Sequence, residues 1–249
     1  MDGEANMPLP FEVERLLPLA ECVKPRTPKA LRDWVLAKCS VFNKPEFRKA
    51  VLLHEGLFKW FYEEIYPLSV FAVRRYGDRM DVSCAPKRDQ SRDVDAEISE
   101  PSRTIPVEIT SARDPDHHLR MEYLVQHRWG PFTGPLKVQG TKRTGRQIES
   151  ELESVDHRES RARHLSLIKT AAESKAGLGR YGKSYELIIA VEDRWFNPAD
   201  GRFDPEDANE VVAFIQREVL TLPLEFGVIH IVGLTERLFQ TFPLGSLPC

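Results

Sequence analysis

The sequence predicts an α/β fold in which helices flank a mixed β-sheet. Two observations support this prediction. Apolar residues recur at helical spacing along 45–67, 158–181 and 204–222, whereas 184–193 and 226–233 are short, continuously apolar runs. Such runs are typical of parallel strands buried on both faces. Together with antiparallel strands between the first two helices, this order predicts an α/β sandwich.

Composition indicates a globular protein with no overall attraction for polyanions. The 249 residues are 41% apolar and 29% charged, enough to bury the core of one large domain or two small ones. With a formal net charge of −3, any nucleic acid would have to meet a local basic surface. The four cysteines form no CxxC pair, and no uncharged run approaches the ~20 residues of a membrane span. We therefore expect reduced thiols and a cytoplasmic protein that enters no membrane.

The N-terminal part of the chain is predicted to hold a helical lead-in and then one long helix. Prolines punctuate residues 1–44, so only short helices fit there, and the main domain is predicted to span 45–249. Its first helix is expected to begin at Pro45 and to end at Pro67. The alternating run 69–77 is rich in β-branched and aromatic residues and predicts a strand.

Residues 93–110, DVDAEISEPSRTIPVEIT, predict a β-hairpin that turns at 100–103. Residues two apart share one face of a strand, so Glu108 and Thr110 project together, and the hairpin register lets Asp95 and Glu108 converge. Two carboxylates in a partly buried site repel each other unless a cation lies between them. Oxygen ligands without a His or Cys cluster favour Mg²⁺ or Mn²⁺. The alternative is that both acids face solvent and pair with nearby arginines.

The second half of the chain is predicted to begin with a loop-rich insertion at about 112–158 that contains a short helix at 145–155. A loop-rich segment of this length inside a compact domain indicates either a functional insertion or wrongly assigned elements, and it is interpreted here as an insertion. The predicted elements after it are a helix at 158–181, a buried strand at 184–193, a helix that begins at Asp204 and a last strand at 226–233.

Lys175 stands on the apolar face of the predicted helix 158–181. Burying an unpaired ammonium is costly. Two alternatives follow: an ion pair with Glu108 or Asp95, or a path along the helix end to solvent.

The hairpin resembles the motif of the PD-(D/E)XK nuclease superfamily, which has the restriction-endonuclease-like fold. That motif places an Asp on the second core strand and Glu-x-Lys on the third. Asp95 and Glu108 match the acidic positions, whereas Thr110 stands where the lysine is expected. The resemblance covers roughly residues 46–192. It implies a three-layer sandwich, with a mixed β-sheet flanked by helices and the loop-rich insertion outside the shared core.

The resemblance also implies a set of site residues. Asp95, Glu108 and the Ile109 carbonyl would hold the metal ion. In some members of the superfamily the lysine function has moved to the following helix, which assigns it here to Lys175. The first core helix often adds an acidic residue, for which Glu55 is the candidate.

The activity that the resemblance implies is that of a Mg²⁺- or Mn²⁺-dependent nuclease. Such an endonuclease or exonuclease would hydrolyse phosphodiester bonds of DNA in restriction, defence or repair. Thr110 keeps a second alternative open, a catalytically inactive domain that binds nucleic acid or serves in assembly. A third alternative discards the resemblance and leaves an α/β protein with a small-molecule pocket or an interaction surface. A homodimer or a partner protein of a multi-component system is compatible with the resemblance, although no residue demonstrates either.

Nucleic-acid contacts are predicted in the insertion. The segment LKVQGTKRTGR supplies basic residues without an acid on a glycine-containing loop that could follow a phosphate backbone. These residues are Lys137, Lys142, Arg143 and Arg146. Trp129 nearby could stack on bases. The alternative is a solvated loop whose aromatic side chains pack into the domain.

Overall fold

The computed structural model describes residues 10–88, 94–128, 135–141, 145–151, 156–193 and 205–244. The helices are α1 (Pro10–Leu16), α2 (Leu19–Cys22), α3 (Pro28–Phe42), α4 (Arg48–Leu52), α5 (Leu57–Trp60), α6 (Tyr66–Tyr76), α7 (His117–His127), α8 (His157–Glu173) and α9 (Pro205–Phe214). A 3₁₀ turn lies at Pro45–Phe47, and π-helical turns lie at Phe61–Ile65 and Ile215–Val219. The strands are β1 (Ser83–Pro86), β2 (Ala96–Glu100), β3 (Arg103–Ala112), β4 (Leu136–Thr141), β5 (Gly145–Ser150), β6 (Glu186–Val191), β7 (Val228–Gly233) and β8 (Phe239–Pro243).

A mixed six-stranded sheet in the order β1-β2-β3-β6-β7-β8 organises the fold. β1, β2 and β3 are antiparallel neighbours, β6 and β7 continue parallel to β3, and β8 returns antiparallel to β7. Every residue of β6 is buried, as expected for a parallel strand that is covered on both faces. The prediction of an α/β protein with a mixed sheet flanked by helices is therefore confirmed.

Alternate strand residues enter two apolar cores on opposite faces of the sheet. Ile188 and Val232 join the core that contains α3, α5 and α6, whereas Leu187 and Ile231 join the core that contains α8 and α9. Glu108 of β3 is in register with Leu187 of the parallel strand β6. Its side chain therefore lies on the α8 side of the sheet.

The first long helix differs from its prediction. The helical run breaks at 53–56, where Gly56 has a φ of 56°, and it passes through Pro67 to end at Tyr76. The strand predicted at 69–77 is therefore wrong. The π-helical turn before α6 accommodates Pro67, which has no N–H to donate. Because α6 is buried on nearly all sides, its apolar run loses the periodicity that distinguishes a helix from a strand.

The insertion is more regular than predicted. It contains α7 and an antiparallel ribbon formed by β4 and β5. The helix predicted at 145–155 is wrong, because 145–150 form β5 and 152–155 lie outside the described residues. Gly140 and Gly145 have φ values of 81° and 84°, a conformation that favours glycine. Glycine therefore suits these two positions at the ends of the paired strands.

The other predicted elements are confirmed, most of them with shorter bounds. β2 and β3 form the predicted hairpin, β6 and β7 are the two buried strands, and α8 ends at Glu173. Asp204, the predicted start of the next helix, lies outside the described residues. β8 has no counterpart among the predicted elements, because a short edge strand that ends in a proline is weakly patterned.

α3, in the predicted lead-in, packs into the same core as the sheet. The ring of Phe42 meets those of Phe58 and Phe61 edge to face, with centroids 5.0 and 5.2 Å apart. Arg26 and Cys84 exchange two backbone hydrogen bonds, of 3.1 and 2.8 Å. Aromatic packing and backbone pairing therefore both join this segment to the rest of the fold.

Two general expectations concern membranes and thiols. In the ranges that the structure describes, every helix is too short or too polar to cross a membrane. Cys22, Cys39 and Cys84 are free, while Cys249 lies outside those ranges.

Asp193 fixes the connections at one end of the sheet. Its fully buried carboxylate accepts hydrogen bonds of 2.7–3.1 Å from the N–H groups of Thr235, Arg237 and Leu238 and from the Thr235 hydroxyl. A Cβ at Gly233 would lie 2.0 Å from Asp193 Oδ2, so this close approach requires glycine. The carboxylate thus ties the end of β6 to the β7–β8 turn.

Replacing Asp193 by alanine is expected to lower the free energy of unfolding by about 3 kcal/mol, because four donors lose one buried acceptor. Urea denaturation measures this change. Asp33→Ala, at an exposed helical pair with Lys29, is the control and should change stability by less than about 0.5 kcal/mol. Equal effects of the two substitutions would contradict the role of Asp193.

Candidate active site

The register of the β2–β3 hairpin places Asp95 opposite Glu108. Ala96 pairs with Val107, and one residue earlier the Asp95 N–H donates to the Val107 carbonyl at 3.0 Å. The Ile109 N–H donates to Asp95 Oδ2 at 2.7 Å. The Asp95 side chain therefore continues the hydrogen bonding of the strand pair beyond the start of β2.

Lys175 lies next to Glu108. Its Nζ donates to Glu108 Oε1 at 2.5 Å, and Glu108 is only 5% exposed. Lys175 does not belong to the helix face predicted for it, because α8 ends at Glu173 and is capped by Ser174. Of the two alternatives left by the sequence, the structure has the ion pair with Glu108. The contact links the turn after α8 to the middle of β3.

The same turn brings a second cation to Glu108. Gly177 and Gly179 have positive φ values of 64° and 67°, which allow the chain to fold back on itself. Arg180 follows, with its guanidinium 3.9 Å from Glu108 Oε1 and 2.6 Å from the Tyr181 hydroxyl. One glycine-rich turn therefore carries both cations of the site.

A third carboxyl comes from the π-helical turn Phe61–Ile65. Burial, followed by the charge of Asp95, raises the pKa of Glu64 to about 8, and Glu108 contributes in the same direction. Glu55, the acid predicted for this role, is exposed in the break between α4 and α5. The prediction assumed one unbroken helix and therefore missed the break and the π-helical turn that set the orientation of Glu64.

The site contains more carboxyl groups than cationic side chains. Burial raises the pKa of Asp95 to about 6, with repulsion from Glu108 next in size, while the Ile109 N–H, Lys175 and Arg180 oppose this rise. With Glu64, three carboxyls face two cationic side chains. This balance favours either protonation or the entry of a further cation.

The donors of the site fit a hard divalent ion in their chemistry. Asp95 and Glu108 supply carboxylate oxygens, which Mg²⁺ and Mn²⁺ prefer. The N–H and C=O of one strand residue point to the same side of the strand, so the Ile109 carbonyl also points toward Asp95. Within the described residues, no three His, Cys, Asp or Glu side chains form a ready metal-binding group. The protein would therefore hold an ion with two carboxylates, a carbonyl and water.

A second polar cluster supports the turn that carries Glu64. Glu63 Oε1 accepts from Arg113 at 2.8 Å and lies 3.1 Å from His54 Nδ1. The rings of His54 and His117 are 6.1 Å apart, and burial lowers the pKa of His117 to about 4. Sequence patterns do not reveal this cluster, because its members are far apart along the chain. It holds the π-helical turn against the end of β3.

The predicted nucleic-acid contacts fall into two groups. Lys137 is exposed on β4 and pairs with Glu151, while Arg146 is mostly buried, with its Nε 3.4 Å from Glu122 Oε2 on α7. Lys142, Arg143 and Trp129 lie outside the described residues. Arg146 therefore faces the protein, and Lys137 remains at the surface.

Comparison of the chain with protein-family models, with curated proteins and with solved structures finds no match.

Glu64→Gln is expected to change the pH dependence of stability. The native carboxyl has a pKa of about 8, against an ordinary value of 4.5, so the native state binds the extra proton between these values and wild-type stability falls as pH rises through this window. Glutamine does not ionise, so the variant does not lose this stability as pH rises. We expect a gain on the order of 2 kcal/mol at a pH above about 8, reduced by solvent screening, and little change near pH 4.

Urea unfolding at both pH values measures this difference. Glu55→Gln, at an exposed position, is the matched control and should leave the pH profile unchanged. The same profile for wild type and Glu64→Gln would contradict the assignment.

Proposed function

We propose that this protein is a divalent-metal-dependent nuclease that hydrolyses phosphodiester bonds in DNA. The observation that carries the proposal is the 2.5 Å contact of Lys175 Nζ with Glu108 Oε1, on the strand that Asp95 joins through the Ile109 N–H. Two carboxylates with an adjacent ammonium can bind a metal ion and orient a water molecule. Thr110, at the position of the motif lysine, can only form hydrogen bonds, so Lys175 takes the role of that lysine.

The order of the elements also supports the proposal. A helical segment that ends with α6 precedes the antiparallel strands β1, β2 and β3, and α8 leads from the insertion to β6, which lies parallel to β3. The resemblance implies the same order of helix, three-stranded meander, helix and strand. We therefore propose the restriction-endonuclease-like three-layer sandwich, with cytoplasmic roles in restriction, defence or repair that follow from the resemblance alone.

The proposed mechanism assigns a role to each side chain. Asp95, Glu108 and the Ile109 carbonyl would hold Mg²⁺ or Mn²⁺, which when bound lowers the pKa of a coordinated water and neutralises charge on the phosphate. Lys175, held by Glu108, would orient the attacking water. Arg180 offers its guanidinium to a non-bridging phosphate oxygen. Glu64, with a pKa of about 8, is neutral at pH 7 and adds no repulsion where a phosphate must enter.

A second candidate function is a nuclease-like domain without catalysis that binds nucleic acid or serves in assembly. Two observations favour it: Thr110 replaces the motif lysine, and the described residues contain no ready group of three metal ligands. The same cleavage experiment distinguishes the two functions.

Purified protein is expected to cut plasmid or linear DNA in Mg²⁺ or Mn²⁺. Asp95→Asn, Glu108→Gln and Lys175→Met should each lower the rate by about 100-fold or more, since each removes a metal ligand or the water-orienting ammonium. Gel assays with single-stranded DNA and RNA alongside measure the substrate preference.

Lys169→Met is the matched control, because Lys169 lies on α8 and pairs with Glu218 at 3.0 Å, away from Glu108. It should cut at the wild-type rate, and circular dichroism should show that all variants are folded. Folded wild-type protein that binds nucleic acid without cutting it would overturn the nuclease and support the inactive nucleic-acid-binding domain. Folded protein that neither binds nor cuts would overturn both functions.

Metal binding should depend on pH through Asp95. The ion must displace a proton from a carboxyl with a pKa of about 6, so stabilisation by Mn²⁺ should grow as pH rises from about 5 to 7. At ten times Kd the expected gain is about 1.4 kcal/mol, seen as a rise in Tm. The Glu108→Gln variant should show no stabilisation by Mn²⁺. If Mn²⁺ stabilises this variant as much as it stabilises the wild type, the metal site is contradicted.

A further inference from the structure

The side chain of Tyr181 is anchored in the apolar core next to the candidate active site. Tyr181 is buried, and the centroid of its ring lies 4.4 Å from that of the fully buried Phe226 and 5.8 Å from that of Tyr185. Tyr185 immediately precedes β6, and Phe226 lies two residues before β7. Packing against the ends of two central strands therefore fixes where the Tyr181 hydroxyl lies.

The Tyr181 hydroxyl contacts two charged groups of the site. It accepts a hydrogen bond from Arg180 Nη2 at 2.6 Å. Burial raises the pKa of Tyr181, and the charge of Glu108 and a hydrogen bond to that carboxylate act in the same direction. A phenol can donate one hydrogen bond and accept others at once. The hydroxyl therefore lies between guanidinium and carboxylate, as acceptor to the first and donor to the second.

The position of Arg180 is unusual for a guanidinium next to a carboxylate. Such groups normally pair directly, through hydrogen bonds of about 2.7–2.9 Å. Arg180 Nη2 instead lies 3.9 Å from Glu108 Oε1 and donates to Tyr181. A direct pair would occupy carboxylate oxygens that a metal ion needs. Tyr181 therefore takes the place that Glu108 would otherwise hold as the acceptor for this nitrogen.

The ring of Tyr181 also restrains Arg180. The central carbon of the guanidinium lies 4.9 Å from the centroid of the ring, within the range of a cation–π contact. The backbone at Gly179, just before Arg180, has a positive φ of 67°. The Arg180 side chain is nevertheless 43% exposed, so an anion from solvent can reach the guanidinium while the tyrosine holds it.

We propose that Tyr181 is a positioning residue for Arg180. Its hydroxyl holds the guanidinium away from Glu108, so that Arg180 binds a phosphate of the DNA substrate while the carboxylate stays available to the metal ion. This inference deepens the proposed nuclease function and rests on it for the choice of DNA as the ligand. Phosphate binding does not require cleavage, so the two are tested separately.

The first test measures binding of the purified protein to a labelled DNA duplex by fluorescence anisotropy over a range of salt concentrations. EDTA removes the divalent ions that would permit cleavage. The variants are Tyr181→Phe, Arg180→Met and the two together. Tyr185→Phe, in the same aromatic cluster, is the matched control. Phenylalanine keeps the ring in both tyrosine variants, and circular dichroism checks that every variant is folded.

Tyr181→Phe should weaken DNA binding about tenfold, because the guanidinium loses the hydrogen bond that holds it in place. The slope of log K against log salt concentration should become shallower by about 1, since one phosphate contact is lost. Arg180→Met should give the same two changes. The double variant should lose no more than Arg180→Met alone, because the tyrosine acts through the arginine. Tyr185→Phe should bind as wild type does.

A second test concerns the availability of Glu108 and uses the rise in Tm on adding Mn²⁺. Tyr181→Phe should reduce this rise, because the released guanidinium pairs with the carboxylate. Arg180→Met should keep the wild-type rise, since no guanidinium is left to compete with the ion. Equal losses in the two variants would overturn the role assigned to Tyr181.

Three results of the binding test would overturn the inference: no DNA binding by wild type, an unchanged affinity and salt slope in Tyr181→Phe, or losses from the two single variants that add in the double variant. Failure of the nuclease function is a different result. A protein that never cuts but shows the shared loss keeps the role of Tyr181. A protein that cuts DNA and binds it equally well as Tyr181→Phe keeps the nuclease and loses this role.

Discussion

The hydrogen bond from the Ile109 N–H to Asp95 Oδ2, 2.7 Å long, determines how the rest of the site is arranged. A strand edge that would otherwise pair with backbone is satisfied by a side chain, which fixes the Asp95 carboxylate next to Glu108. A buried and a half-buried carboxylate on one face raise the free energy of the native state unless positive charge is supplied. Lys175 and Arg180 supply it, so the turn after α8 is required by the hairpin.

The sheet explains why this arrangement can be held rigidly. β3 is central, with β2 on one side and β6 on the other, and apolar cores cover both faces. Glu108 therefore emerges from a strand that cannot move without displacing both neighbours. The helix-derived Glu64 is less firmly placed by the sheet, and the contacts of Glu63 with Arg113 and His54 compensate by fixing the turn in which it lies.

The sequence allowed the hairpin, the two buried strands and the helix before them to be predicted, because periodicity and apolar runs report burial directly. It did not allow α6 to be predicted, because apolar residues cover nearly all sides of this helix and their pattern resembles that of a strand. Glu64 could not be predicted for a related reason. A π-helical turn rotates later side chains relative to an α-helix, so α-helical periodicity counted from Glu55 gives the wrong side-chain orientations for Glu63 and Glu64. β5 was not predicted because Gln147 and Glu149 also suit a helix when the partner strand is unknown.

The glycine-rich turn has a consequence for how the protein can be divided. The Gly177 N–H donates to the Pro223 carbonyl at 3.1 Å. The acidic residues of the hairpin are contributed by one short stretch of chain, but the cations depend on an anchor nearly fifty residues further on. A fragment that ended after β6 would keep Asp95 and Glu108 and lose the support of their counter-charges. The C-terminal segment therefore supports the electrostatic balance of a site to which its described residues, 205–244, contribute no acid or base.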